Sequence, residues 1–179
     1  VNCHLEVEET MEQSAGTLLA AAPTGAVSLS GHYALSGGFL NVTGSASFVG
    51  ADATQDGGEV ILLNAESSAQ LTGLYTWQQG LWRGSGSVSF EGGLLLTGLA
   101  TKHLHVATVS TSCEVNWSNG DIDSISSAWS HLPGHDFLVT ASARWLSDTS
   151  SSLSVAGSLR KISGDASTLH IPVFVSSGG

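Results

Sequence analysis

The sequence predicts an all-β protein: an antiparallel β-sandwich of jelly-roll type built from successive hairpins, with a closed β-barrel as second choice. Three observations carry that expectation. Glycine is abundant at 22 residues and charged residues are few at 11%, a balance that suits short strands and tight turns better than amphipathic helices. From Ala26 onward apolar and polar residues alternate with a period of two. Finally, the chain writes one stretch twice, Leu29–Gly50 and Leu71–Gly92, in register at an offset of 42 residues without a gap. Tyr33/Tyr75, Gly38/Gly80, Ser45/Ser87, Ser47/Ser89 and Phe48/Phe90 are among the coinciding pairs.

A chain of 179 residues, 41% hydrophobic, is long enough for one domain with a substantial core. Its net charge of −10 leaves only five basic residues, of which Arg160-Lys161 is the single adjacent pair. Phosphate recognition needs clustered cations, so no nucleic-acid partner is expected. No apolar run approaches the length of a membrane span, and no membrane insertion is expected. Cys3 and Cys113 are either two buried thiols or one disulfide tying the N-terminal arm to the body. Two sequons begin at Asn41 and Asn116.

Residues 1–23 read as an N-terminal arm or short helix, 24–175 as a single antiparallel β domain, and 176–179 as a tail or linker. Within the domain, Gly37-Gly38, Gln78-Gln79-Gly80 and Asn119-Gly120 each sit between β-like runs and predict hairpin turns. Val60-Ile-Leu-Leu63 is short enough for a core strand, and Phe137 to Trp145 alternates cleanly. The glycines near the ends of both repeats predict bulges where a sheet coils. A propeller is disfavoured, because only two copies of the 42-residue unit are recognisable.

His103-Leu-His105 places two imidazoles on one face of a strand, about 7 Å apart along it, and marks them as candidate metal ligands. The spacing resembles the His-x-His pairs of trimeric phage fibre tips, a resemblance that implies three chains around one iron. His131, His135 and Asp136 form a second candidate cluster. Tyr75, Trp77 and Trp82 gather around one turn and are candidate ligand-binding aromatics; the competing expectation is that they fill the core. The run from Trp77 to Gly86 is similar to a single MORN repeat, which we read as convergent hairpin chemistry. Asp148-Thr-Ser150 echoes the aspartic-protease signature, but the second carboxylate that chemistry needs has no sequence counterpart.

No hydrolase elbow and no phosphate-binding loop is present. The expectation is therefore a non-enzymatic module without a cofactor, of extracellular or virion-surface type, acting in attachment or assembly. Its expected partners are a protein or glycan receptor, or copies of itself in a homo-oligomer. A small-ligand-binding β-barrel and a metal-dependent enzyme using the histidine loop are the alternatives.

Overall fold

The structure, a computed structural model, describes residues 6–7, 10–20, 26–49, 52–140, 142–164 and 166–175. All its regular structure is β. In chain order the strands begin with β1 (Glu6–Val7), β2 (Met11–Gln13), β3 (Thr17–Ala20), β4 (Ala26–Leu29), β5 (Tyr33–Leu35), β6 (Phe39–Val42) and β7 (Ser45–Phe48). The middle of the chain forms β8 (Ala53–Leu62), β9 (Ser68–Leu71), β10 (Tyr75–Phe90), β11 (Leu94–Leu96) and β12 (Lys102–Thr111). Then come β13 (Val115–Trp117), β14 (Ile122–Ser124), β15 (Ala128–His131), β16 (Asp136–Val139) and β17 (Arg144–Ser147). The last are β18 (Ser152–Val155), β19 (Ser158–Lys161), β20 (Thr168–His170) and β21 (Val173–Val175).

Among the described residues every strand pairing is parallel, and that overturns the expected sandwich and barrel alike. The chain winds as a β-solenoid of about 7 turns with three faces. Face A stacks β1, β4, β7, β9, the end of β10, the end of β12, β15, β18 and β21. Face B stacks β2, β5, the starts of β8 and β10, then β11, β13, β16 and β19. Face C stacks β3, β6, the end of β8, the middle of β10, the start of β12, then β14, β17 and β20. Strand β10 bends twice and contributes to all three faces.

The 42-residue repeat is two coils of this solenoid. Leu29 pairs with Phe48, and Phe48 pairs with Leu71, so the repeated positions lie two rungs apart in one column. The expected hairpin turns are corners instead. Asn119-Gly120 carries the chain from face B to face C, and β13 pairs with β11 below and β16 above, never with β14. The stretch similar to a MORN repeat lies in β10, a bent strand with parallel neighbours. Residues 11–20, expected in the arm, form β2 and β3 and stack beneath β5 and β6. The predicted tail, 176–179, lies outside the described residues.

Inward side chains form one continuous hydrophobic core along the solenoid. All five tryptophans, Trp77, Trp82, Trp117, Trp129 and Trp145, are at most 1% exposed. Indole N–H groups are expensive to bury unpaired, and each finds an acceptor inside. Trp82 Nε1 donates to Gln55 Oε1 at 2.8 Å, where the Tyr75 hydroxyl also donates at 2.7 Å. Trp117 and Trp145 donate to Gly120 O and Ser124 Oγ. Two coils below the Tyr75–Gln55 pair, the Tyr33 hydroxyl makes the same bond to Gln13 Oε1. The 42-residue period thus extends to the polar contacts of the core. Cys113 is a buried free thiol that donates to Phe90 O, and burial pushes its pKa up to about 11. Cys3, its expected disulfide partner, lies outside the described residues.

Candidate functional site

Parallel stacking in register aligns every outward position with its equivalents in neighbouring coils, so each face becomes an array. Face A carries the most regular one. Its first rank runs Ser45, Ser68, Ser87, Thr108, Ala128, Ser152, and its second rank runs Ser47, Gln70, Ser89, Ser110, Ser130, Ser154. Ten of these twelve positions bear a hydroxyl and none bears a charge. The ranks repeat at about 4.8 Å along the solenoid and stand about 6.6 Å apart across it. Inward neighbours alternate with them: Ala46, Ala69, Val88, Val109, Trp129 and Leu153 are all buried. Burial of that apolar set fixes the register and holds the hydroxyls outward.

Little of the array's hydrogen-bonding capacity is used internally. Ser68 Oγ donates to Ser45 Oγ at 3.1 Å, and Glu91, at a corner, accepts from Ser89 at 3.0 Å and Gln70 at 2.9 Å. Ser87, Thr108, Ser130, Ser152 and Ser154 make no side-chain hydrogen bond among the described residues. The sequence held a signal for this array, because Ser45/Ser87 and Ser47/Ser89 coincide in the repeat. Read as hairpins, those serines scatter over two sheets; read as coils, they form a column.

Face C carries a column with charged and titratable side chains. Its outward column runs Phe39, Glu59, Leu81, His103, Asp123, Leu146, His170, and beside it Arg83 stands next to His105. The structure brings His103 and His105 of β12 together with Asp123 of β14, one coil above. Asp123 Oδ2 lies 3.1 Å from His103 Nδ1 and 3.6 Å from His105 Nε2. The imidazoles stand nearly perpendicular, with centroids 6.0 Å apart. Arg83 is held away by Glu59, to which its Nε donates at 2.8 Å. An open groove of about 350 Å³ lined by Gly38, Phe39, Glu59, Gly80 and Leu81 reaches the cluster at His103. Sequence reading pairs Asp123 with Asp121 beside a turn, as a calcium or sugar contact or as solubilising charges, and not with the histidines, because 18 residues separate it from His105; only the coil period makes them neighbours.

The other expected site residues lie elsewhere. Tyr75, Trp77 and Trp82 are 3%, 1% and 1% exposed and pack in the core, so they present no surface to a ligand. A strand position in a solenoid alternates between core and solvent, and all three fall on the inward phase. His131 is also buried: its Nδ1 faces Thr111 Oγ1 at 2.8 Å and its Nε2 faces His135 O at 3.1 Å. The second contact needs a proton on Nε2, which leaves Nδ1 to accept from Thr111. Burial holds its pKa below the ordinary histidine value. It is a core histidine, and His131, His135 and Asp136 do not converge as a ligand set. Asp148 accepts the backbone N–H groups of Ser126 and Ser151 and the hydroxyls of Ser150 and Ser151. These bonds tie its turn to the coil below and hold the carboxyl well below the usual range, the reverse of what a shared-proton dyad requires.

No protein-family model, curated protein or solved structure matches the chain.

Proposed function

We propose that this protein is a non-enzymatic attachment module that engages a neutral, polyhydroxylated polymer through face A. The observation that carries the reading is the two-rank hydroxyl array, continuous over six coils and free of charge among its twelve outward positions. Each property of the array selects for a property of the ligand. A face six coils long suits an extended ligand, a repeat of about 4.8 Å suits one that is itself repetitive, and the lack of charge suits an uncharged one. Hydroxyls both donate and accept, so the face matches sugar hydroxyls without a fixed polarity. A neutral polysaccharide meets all four conditions. A rigid solenoid loses little conformational freedom on binding, which lets many weak contacts sum. This reading puts the protein at an extracellular surface.

The same face would be the pairing surface if copies of the chain associate. Co-sedimentation with insoluble neutral polysaccharides (cellulose, chitin, mannan) separates the two. Retention on at least one polymer is expected, with roughly tenfold weaker binding for the Ser110→Glu/Ser130→Glu variant, a loss of about 1.4 kcal/mol. Circular dichroism shows whether that variant is folded. No retention on any polymer, or equal retention by the folded variant, overturns the reading. A dimer in light scattering that the same variant dissociates, without polymer retention, replaces it by self-assembly.

A further inference from the structure

We propose that His103, His105 and Asp123 form a binding site for a single late first-row divalent cation of the zinc or cobalt type. The site goes beyond the attachment reading: it lies on face C and shares no residue with the hydroxyl array.

Three independent features point to it. The first is convergence. One nitrogen from each histidine and one carboxylate oxygen all lie within 4.8 Å of one another, with Asp123 Oδ2 between the two rings at 3.1 and 3.6 Å. Ligands at 2.0–2.2 Å from a tetrahedral ion stand about 3.4 Å apart, so two of these separations already approach a ligand set. The second is an orphaned donor atom. His105 Nε2 is sealed from solvent and has no hydrogen-bond partner, although it points at Asp123 from just beyond hydrogen-bonding reach. A buried ring nitrogen is normally satisfied, and a cation between the two groups would satisfy it. The third is support. Leu104, the residue between the histidines, is 1% exposed and locked in the core, while Ile122 and Ser124 flank Asp123 in the same way. All three ligands are thus displayed from rigid, parallel, hydrogen-bonded strands.

The donor chemistry selects the ion. Two imidazoles and one carboxylate favour zinc, cobalt, nickel or copper over calcium and magnesium, which seek mostly oxygen. Three protein ligands leave at least one position for water or an external ligand, and the neighbouring groove gives access to it. Within one chain the cluster is complete, so the three-chain arrangement implied by the fibre-tip spacing is not required.

The test is titration of the tag-free, chelator-treated protein with Zn²⁺ by calorimetry and with Co²⁺ by visible absorption. One equivalent of each is expected to bind with affinity in the micromolar range, Co²⁺ giving d–d bands. His105→Ala and Asp123→Asn should each weaken binding at least tenfold, whereas His170→Ala should not. In the unaltered protein, the ring proton resonances of His103 and His105 should move on Zn²⁺ addition while those of His131 stay. That last readout needs no variant to fold. Absence of saturable binding, binding unaffected by His105→Ala, or resonance shifts confined to other histidines would each overturn the assignment.

Discussion

Histidine chemistry in this protein is decided by which side of a strand the ring occupies. His131 points inward, between Thr111 and the His135 carbonyl, and burial holds its pKa below the ordinary histidine value. His103 and His105 point outward, where Asp123 from the next coil meets them. The buried ring has a consequence for stability. Its folded pKa is below the unfolded value of about 6.5, so as the pH falls below that value the folded state binds fewer protons than the unfolded one. The contribution of neutral His131 is therefore complete above pH 6.5 and is lost on acidification through that value. Urea denaturation at pH 7.5 and 5.0 should show a drop in stability for the natural protein, and His131→Phe should lessen it. An equal drop in both proteins would mean that other groups govern the acid limb.

Elements were legible from the sequence in phase but not in partnership. Alternation around His103-Leu-His105 correctly marked a strand, β12, because a period of two is the same whatever the neighbour, whereas Gln78-Gln79-Gly80, expected as a turn, lies inside β10. Direction was not legible, since Gly-rich turns serve a solenoid corner as well as a hairpin. The repeat at 42 residues held the answer in doubled form: successive coils differ enough, with Phe48 facing Leu71, that only every second coil repeats recognisably. The site followed the same pattern. The histidine pair could be read from its spacing, whereas Asp123 and the serine columns required the coil period.

Corners impose the strictest local demand. Gly84 turns β10 from face C towards face A with a φ of 124°, a conformation L side chains rarely adopt, and a Cβ there would collide with the Leu62 carbonyl of the coil below. Gly84→Ala should therefore cost about 2–4 kcal/mol through strain and displaced stacking. The shift in the urea midpoint measures this, and a change under about 0.5 kcal/mol would contradict the stacked corner.

On the scale of the molecule, the solenoid separates tasks by face. The interior holds all five tryptophans and both tyrosines, face C carries the charged column with the histidine cluster, and face A bears ten hydroxyls and no charge among its twelve outward positions. A sandwich or barrel would distribute the same residues over separate sheets; stacking coils converts a local Ser-x-Ser alternation into two in-register columns several coils long. Both functional readings depend on that stacking.

The most direct measurement of it is a cysteine cross-link across face A. Ser89 and Ser110 are partners in adjacent coils, so their Cα atoms stand about 4.8 Å apart, within disulfide range. In a Cys3→Ser background, with Cys113 buried, Ser89→Cys/Ser110→Cys should oxidise rapidly to an intramolecular disulfide, and Ser89→Cys/Asp123→Cys, placed on different faces, should not. Failure of the first pair to close in the folded protein, or equal closure of both, would contradict the parallel solenoid and the hydroxyl face built on it.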